Sequence, residues 1–399
     1  MKFIHAGDLH LGNAFEGLSD IPEWLMIKLQ NATADAFTNL VDQAIAEQVD
    51  FIVLPGDIYN TTQINPRIQL FFSQQMERLN EAKIPVILGY GNHDFVEDFA
   101  SQGVFPENVT VLSHAVETVH LTTKEQVQVA ISGFSYPTRH LNRSMVDDFP
   151  VKGDEDYHIG MYHGAIGVDG EGDYAPFNLN ALNAKHYQYW ALGHIHVRQT
   201  LQEHPFIGYS GSLQGLNHKE AGEKGYYLVE SNAEGDLIPR FMASAPIIWS
   251  QQTVEMLGNR SFGQAVTELR DAVDSQTEQF ALLALNVTVD QADTAQILNA
   301  HQVQEQLALE ATSADHFYIY QVKATMEQPV SVLPELPVEN WQAGLKDLVT
   351  FDELQKIGLN LVHNPEIFAY FSDNQNLAEM QTQVEELVKK IQGGMLDVD

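Results

Sequence analysis

The chain of 399 residues contains no cysteine, which excludes disulfide bonds, zinc–thiolate sites and thiol catalysis. It is also poor in basic residues, since 21 lysines and arginines stand against 54 aspartates and glutamates, giving a formal net charge of −33. No apolar run approaches the roughly 18 residues that a membrane helix needs. We therefore expect a soluble, cytoplasmic protein that makes no membrane contact.

The acidic excess is spread along the whole chain. Residues 1–245 carry 31 acidic and 14 basic side chains, and residues 246–399 carry 23 and 7. A protein that binds nucleic acid by itself normally shows a basic surface. The simplest interpretation is a solvated acidic surface. Any nucleic acid would then be held weakly by this chain alone, with bound metals and a partner chain supplying the attraction.

Apolar residues make up 44% of the chain, which is ample for a folded protein. Its length predicts one large domain and one or two smaller ones. In residues 1–245, short apolar runs alternate with amphipathic stretches, which is typical of α/β architecture. We predict strands at 3–7, 51–54 and 85–88, and a helix over 33–47. From about residue 110, strands at 127–134, 157–162, 189–192 and 226–230 indicate a second sheet.

After residue 246 the pattern changes. Helices near 261–274 and 293–307 alternate with strands at 282–289 and 316–322, which predicts a smaller α/β cap domain over 246–330. Residues 331–399 are predicted to be a helical C-terminal region. There the apolar residues are spaced by three and four positions, which fits either packing on the chain's own domain or docking of a partner; they are Leu377, Met380, Val384, Leu387 and Ile391.

Polar residues of one chemical kind recur at predicted strand ends. The segments are Asp8-Leu9-His10, Gly56-Asp57, Gly91-Asn92-His93-Asp94, His163-Gly164, Gly193-His194-Ile195-His196 and Tyr209-Ser210-Gly211-Ser212. The carboxyl ends of parallel strands are where α/β sheets bind ligands. Carboxylate, imidazole and amide ligands without thiolate suit a pair of divalent ions, so the set predicts a dinuclear metal site for phosphoester chemistry.

The ligand assignment follows from charge balance. Two divalent ions bring four positive charges within roughly 3.5–4 Å of each other and need a bridging carboxylate, which we assign to Asp57. Asp8 and His10, two residues apart on one side of an extended segment, would complete one ion together with His196. Asn92, His163 and His194 would complete the other. The uncancelled positive charge would attract a phosphodiester oxygen and acidify a bridging water, giving a hydroxide placed to attack phosphorus.

His93 alternates with Asn92, so it is expected to face the leaving group as general acid or as a stabiliser of the departing oxygen. Asp94 is expected to hold the His93 imidazole in one tautomer. His5, inside the first strand, is predicted to be a buried structural residue.

This ordered series resembles the calcineurin-like metallophosphoesterase superfamily. Within it, residues 3–12, 193–196 and 209–212 resemble the SbcD and YhaO type of DNA repair exonuclease. The likeness covers about the first 230 residues well and the later region in outline. It implies a four-layer α/β/β/α sandwich, two Mn²⁺ ions, a DNA substrate and an SbcC-like ATPase partner, and it leaves a homodimer open. The family's metal ligands and catalytic histidine fall on the residues assigned above.

One position departs from the family. The second motif is usually G-D-x-x-D, and here its last residue is Asn60. Because Asn60 would act through Asp57 and not bind metal itself, this change bears on the tuning of Asp57 more than on the existence of the site.

These residues are compatible with three classes of function. The favoured one is a metal-dependent DNA exonuclease in DNA repair, and the alternative is a phosphatase or small-molecule phosphodiesterase of the same superfamily. Phosphatases with this metal core usually carry arginines beside the second and third motifs to clamp a phosphomonoester, and here Asn60, Thr61 and Tyr90 stand there. A non-catalytic scaffold would require a broken ligand set. No G-x-x-x-x-G-K-[ST] loop occurs, so any ATP-driven step belongs to another chain.

Overall fold

The computed structural model describes residues 1–97, 105–168, 170, 172–273, 279–326 and 376. In chain order, the strands of this part are β1 (Lys2–His5), β2 (Phe51–Leu54), β3 (Val86–Leu88), β4 (Val109–Val111), β5 (Glu117–Thr122), β6 (Gln128–Gly133), β7 (Tyr157–His163), β8 (Tyr189–Gly193), β9 (Gln199–Gln202), β10 (Phe206–Tyr209), β11 (Gly225–Ser231), β12 (Leu237–Ala243), β13 (Ile247–Met256), β14 (Phe280–Val289) and β15 (Phe317–Met326). The α-helices are α1 (Glu23–Ala46), α2 (Pro66–Glu81), α3 (Leu179–Asn183), α4 (Phe262–Asp271), α5 (Ala292–Leu298) and α6 (His301–Glu310).

Two six-stranded sheets form the centre of the molecule. The first has the order β12-β11-β1-β2-β3-β4 and the second the order β5-β6-β7-β8-β10-β9. Their inner faces share one apolar core, to which Phe3 and Phe51 contribute from the first sheet and Tyr189 from the second. Phe3 stacks on Phe51 with ring centroids 4.9 Å apart and meets Tyr189 edge-on at 5.3 Å. The two sheets therefore pack face to face.

Helices cover the outer face of the first sheet. Because successive side chains of a strand point to opposite faces, Ile4 lies on this side while Phe3 faces the second sheet. Helix α1 supplies Phe37 and α2 supplies Phe72, whose rings stack at 5.5 Å. The outer face of the second sheet is covered by α3 and the loops beside it. This is the four-layer α/β/β/α arrangement that the resemblance implied, and the predicted α/β class is confirmed.

A third sheet of three parallel strands, β13-β14-β15, lies between α4–α6 on one face and the first turns of α1 on the other. Leu25 and Leu29 of α1 pack there against Trp249 and Leu282. This contact explains why α1 begins at Glu23, ten residues before the predicted helix start. The spacing that predicted residues 33–47 captured only the part of the helix that packs on the first sheet.

The strands and helices after residue 246 follow the predicted alternation. The predicted helix near 293–307 is two helices, α5 and α6, with Asn299 and Ala300 between them. Residues Met1–Met326 form one compact unit. The domain boundaries proposed at 245 and 330 stay predictions. The apolar seam from Leu377 to Ile391 lies outside the described residues, and no helix within them has the length and apolarity of a membrane span.

Candidate metal centre

The predicted site residues lie at the carboxyl ends of parallel strands in both central sheets. Asp8, Asp57 and Asn92 follow β1, β2 and β3 of the first sheet. His163 ends β7, and His194 follows β8 of the second sheet. The loops run side by side, since the His10 N–H donates to the Asp57 carbonyl at 3.0 Å and the Gly164 N–H to the Gly193 carbonyl at 3.2 Å. The two sheets thus bring residues far apart in sequence to one edge.

Asp8, His10 and His196 form a first group. Each offers one ligand atom, and these atoms lie within 4.8 Å of one another. The His10 Nε2 and His196 Nε2 atoms are 2.9 Å apart. Both Asp8 and His10 are buried. The three residues assigned to one ion from the sequence are therefore brought together.

Asn92, His163 and His194 form a second group. The Asn92 Oδ1 atom lies 2.9 Å from His163 Nε2 and 3.0 Å from His194 Nδ1. Asp57 stands between the groups, with its Oδ2 atom 3.5 Å from His163 Nε2 and 3.7 Å from His10 Nε2. This oxygen is buried and has no hydrogen-bond partner among the described residues. Asp57 thus lies between the two groups, and its role as a bridge between two ions stays a prediction.

The protonation of His163 tests whether these residues fit cations. Its Nδ1 atom lies 3.1 Å from the Pro55 carbonyl, which can only accept a hydrogen bond, so Nδ1 carries the proton. Burial, followed by the charges of His194 and His10, lowers the pKa of His163 well below its usual value, so the ring is neutral. The unprotonated Nε2 then faces the Asn92 oxygen, and both atoms are acceptors. Two acceptors directed at one point fit a cation placed between them.

Burial shifts the pKa values of the site residues so that it disfavours the charged form of each side chain. It raises the pKa of Asp8 to about 6, and together with Asp94 and Asp8 it raises that of Asp57 well above the usual range. It lowers the pKa of His194 to about 4 and that of His10 well below its usual value. Burial thus disfavours free carboxylates at Asp8 and Asp57 and imidazolium ions at His10 and His194. At His196 burial also lowers the pKa, but the hydrogen bond to Glu220 and the charge of Asp8 outweigh it, so this pKa is raised. Neutral imidazoles and carboxylates compensated by bound metal would relieve both penalties.

The backbone is strained where the site residues lie. Asp8, His10, Asp57 and His194 have φ angles of 51°, 44°, 52° and 98°. Such values cost of order 1–3 kcal/mol per residue and persist at functional sites where the surrounding structure enforces them. The expectation that Asp8 and His10 share one side of an extended segment is therefore wrong. Left-handed turns at both residues, and not strand alternation, direct the two side chains into one cluster.

Glycine allows the close approach on which the site depends. At Gly56, with φ of +125°, an added Cβ atom would collide with the His163 imidazole. At Gly91, an added Cβ atom would collide with the Asp57 carboxylate and would lie 2.7 Å from His163. Glycine is thus required at Gly56 by space as well as by conformation, and at Gly91 by space.

The structure corrects the role predicted for Asp94. Its carboxylate accepts the N–H groups of Ile58 and Tyr59 at 2.7 and 3.0 Å, and that of Gly91 at 2.7 Å. The Nδ1 atom of His93 lies instead 3.3 Å from the Asn60 carbonyl. Asp94 therefore ties the second motif to the third, and the backbone of Asn60 holds the His93 ring.

His93 is half-buried, and its backbone N–H donates to Asp57 Oδ1 at 3.0 Å. Its ring centroid lies 5.0 Å from that of His10. Burial lowers the pKa of the His93 imidazole, and the charges of His196 and Arg139 lower it further. To donate a proton, His93 must first gain one, which a bound anionic phosphate would favour.

Two charged residues near the site were not identified from the sequence. Glu220 is buried, and its Oε1 atom lies 2.9 Å from His196 Nδ1. Arg139 is exposed, and its positive charge acts on His93. No motif marks either residue, because each reaches the site only through folding. His5 is buried as predicted, with Nδ1 3.0 Å from the Tyr189 hydroxyl and Nε2 3.1 Å from the Leu192 carbonyl.

This four-layer fold, with carboxylate, imidazole and amide ligands gathered around a central carboxylate, defines a dinuclear metal-binding phosphoesterase. The model of the calcineurin-like phosphoesterases matches residues 1–198, so the chain carries a domain of that family.

Several curated proteins are similar to it. The chain is 38% identical over 259 residues to the metallophosphoesterase YhaO of Bacillus subtilis, in an alignment that covers 64% of this chain and 63% of YhaO. It is 24% identical over 291 residues to the DNA double-strand break repair protein Mre11 of Sulfurisphaera tokodaii, covering 70% and 71%. It is 26% identical over 257 residues to the SbcD component of the SbcCD nuclease of Staphylococcus saprophyticus, covering 58% and 65%. The chain thus spans somewhat less than two thirds of the length of YhaO.

Proposed function

We propose that this chain is a metal-dependent phosphodiesterase that degrades DNA from its ends in DNA repair, with two Mn²⁺ ions as its metals. One ion would be held by Asp8, His10 and His196, and the other by Asn92, His163 and His194. Asp57 would bind both ions. The observation that carries this proposal is the buried Asp57 Oδ2 atom between His10 and His163, which no donor of the described chain contacts. When bound, the ions would supply the positive charge that draws a phosphoester oxygen and acidifies water.

The residues of the chain would do the remaining work. The ring of His93 lies beside that of His10, and its Nδ1 atom lies 3.3 Å from the Asn60 carbonyl. The Nε2 atom would then be available to the leaving group. The fixed backbone turns at Asp8, His10 and Asp57 keep the ligands from rearranging when substrate binds. Because His93 is only half-buried, a substrate can reach it from solvent.

The choice of DNA rests on the similarity to Mre11 and to the SbcCD nuclease and on the lack of arginines beside the second and third motifs. Oxygen and imidazole ligands without thiolate suit Mn²⁺, while Zn²⁺ would bind more tightly and catalyse less well. The absence of cysteine is consistent with action in the reducing cytoplasm.

A phosphatase or small-molecule phosphodiesterase is the second candidate. It is favoured by the acidic net charge of −33, which repels long nucleic acids, and by Arg139, an exposed guanidinium whose charge reaches His93. A single arginine at that place could bind the phosphate of a small substrate as well as that of DNA.

One assay separates the candidates. Protein stripped with a chelator receives Mn²⁺, Mg²⁺ or Zn²⁺ singly and is given end-labelled DNA, bis-p-nitrophenyl phosphate or p-nitrophenyl phosphate. We expect Mn²⁺-dependent cleavage of DNA and of the diester, with little hydrolysis of the monoester. Preference for the monoester would favour the phosphatase. Full activity with Mg²⁺ alone, or undiminished activity after chelation, would contradict the dinuclear Mn²⁺ centre.

We further propose that an SbcC-like ATPase supplies the DNA affinity that an acidic chain lacks. The proposed docking segment is the apolar seam of residues 377–391, because a helix of this length is marginal by itself and needs burial. Truncation after residue 372 should abolish co-purification with the ATPase and spare hydrolysis of the small diester. If the truncated protein still binds the ATPase, the docking surface lies elsewhere.

A further inference from the structure

Glu220 is a buried carboxylate with three hydrogen-bond donors around it. Its Oε2 atom accepts the Leu216 N–H at 3.0 Å. Its Oε1 atom accepts the Asn217 Nδ2–H at 2.9 Å and lies 2.9 Å from His196 Nδ1. As an ionised carboxylate, Glu220 can only accept hydrogen bonds, so the imidazole Nδ1–H of His196 is the donor in this pair. The side chain of His196 is therefore held with Nδ1 protonated toward Glu220.

This contact decides which nitrogen of His196 faces the site. With Nδ1 donating to Glu220, the opposite nitrogen, Nε2, is directed at His10 Nε2, 2.9 Å away. The backbone of His196 is fixed as well, because its carbonyl accepts from Lys224 Nζ at 2.8 Å and from the Ser212 N–H at 3.1 Å. Both ends of His196 are thus held by the segment that follows β10.

That segment is itself anchored to the third sheet. The Gly222 N–H donates to the Trp249 carbonyl at 2.9 Å, and the Trp249 indole N–H donates to the Gly215 carbonyl at 3.1 Å. The Gln214 side chain donates to the Ile247 carbonyl at 2.7 Å. Glu220 therefore rests on a fixed support, which is what a residue that orients another side chain requires.

A role limited to the local turn does not account for this contact. The short 3₁₀ turn His218–Glu220 is capped by Asn217, whose side-chain oxygen accepts the Lys219 N–H at 3.0 Å. The turn is therefore closed without a contact between Glu220 and His196. A buried carboxylate is costly unless it is paired and hydrogen-bonded, and the contact with His196 supplies such a partner.

We propose that Glu220 is a positioning residue that fixes the tautomer and direction of His196 and so sets the affinity of the ion held by Asp8, His10 and His196. The inference rests on the proposed dinuclear centre. Carboxylates that accept the second N–H of a metal-binding histidine make the ring a stronger ligand, and their loss typically weakens metal binding 10- to 100-fold.

The test compares Glu220→Gln with Glu223→Gln. Glu223 belongs to the same segment, is exposed, and undergoes the same chemical change, so it is the matched control. Mn²⁺ binding to the stripped full-length chain is measured by calorimetry in competition with a chelator. Wild type and Glu223→Gln should bind two ions alike, whereas Glu220→Gln should bind one ion normally and the other about 10- to 100-fold more weakly. Equal affinities in both variants would overturn the proposal.

A double-mutant cycle shows whether Glu220 acts through His196. In a His196→Gln background, Glu220→Gln should cause no further loss of Mn²⁺ affinity, whereas independent additive losses would contradict a positioning role. If Glu220→Gln does not fold, ¹⁵N spectra of histidine in the metal-free wild type replace it. The signal of His196 is identified as the one missing from the spectrum of His196→Gln. It should show protonation at Nδ1, and protonation at Nε2 alone would overturn the proposal.

The outcome also separates this inference from the proposed function. If the wild type binds no Mn²⁺ and hydrolyses no diester, the dinuclear centre itself is wrong. If the wild type binds two ions and hydrolyses the diester while Glu220→Gln matches Glu223→Gln, only the role of Glu220 is wrong.

Discussion

The Asp57 Oδ2 atom lies 3.5 Å from the Nε2 atom of His163, and no hydrogen bond joins that oxygen to any donor in the described part of the chain. The other oxygen of Asp57 accepts the His93 N–H at 3.0 Å. One oxygen is thus used to position the loop of the third motif, and the other is left directed at both ligand groups. The second oxygen is therefore available to a cation.

Adding Mn²⁺ to the stripped protein should raise its free energy of unfolding, by about 2.7 kcal/mol at an ion concentration 100 times the dissociation constant. Asp57→Asn should remove most of this gain, because an amide cannot bridge two cations as a carboxylate does. Thermal melts with and without Mn²⁺ measure the effect. The control is Asp154→Asn, an exposed site with the same change. Equal stabilisation of the two variants would contradict the bridging role.

His93→Ala should keep both ions and lower turnover of the diester by about a hundredfold or more, the usual effect of removing a positioned acid or base. The reason is that the His93 ring lies at the site without being an assigned ligand. Among the described residues, its Nδ1 atom lies 3.3 Å from the Asn60 carbonyl and its backbone N–H donates to Asp57 Oδ1. Elemental analysis and steady-state rates are measured on one preparation. Loss of metal in parallel with activity would make His93 a ligand instead.

Asp94→Ala should destabilise the protein by roughly 2 kcal/mol or more, because it leaves the N–H groups of Ile58, Tyr59 and Gly91 without their acceptor. Urea unfolding of the stripped protein measures the change, and His93→Ala is the comparison. If Asp94 acted only by orienting the His93 ring, the two variants would unfold at the same urea concentration.

Arg139→Ala should raise the KM for the diester and leave Mn²⁺ binding unchanged, because the positive charge of its exposed guanidinium acts on His93 and would attract a phosphate to it. Arg143 is the matched control, since it belongs to the same loop but is paired with Asp148 at 2.9 Å. Arg143→Ala should have little effect on KM. Similar changes in both variants would indicate general attraction of anions and not a specific contact.

His5 should make stability depend on pH. Burial lowers the pKa of its imidazole to about 4, so the ring stays neutral in the folded protein while it gains a proton below about pH 6.5 in the unfolded chain. Stability contributed by His5 is therefore present above pH 6.5 and is lost as the pH falls toward 4.

Between pH 7.5 and 5.5, the free energy of unfolding of the wild type should accordingly fall by about 1.4 kcal/mol more than that of His5→Gln, because glutamine does not titrate. Taking the difference between the two proteins cancels the contributions of the other buried groups. Urea unfolding at both pH values measures it, and a difference that does not change with pH would show that His5 is exposed to solvent or protonated when folded.

The sequence by itself determined the kind of site. Residue type and position at strand ends are local properties, so the seven candidate ligands from Asp8 to His196 could be selected before any contact was known. The buried role of His5 followed in the same way from its place inside a strand. The α/β class was likewise predictable, because apolar periodicity reports directly on which face of an element is buried.

Only the tertiary structure decided how those residues act on one another. Asp94 is adjacent to His93 in sequence but bonds to the second motif, and Glu220 reaches His196 across 24 residues of chain. The early start of α1 depends on a sheet formed more than 200 residues later. Sequence spacing carries no information on contacts of this kind, because they depend on how strands from two sheets meet at one edge and on which loop backbone offers the nearest donor.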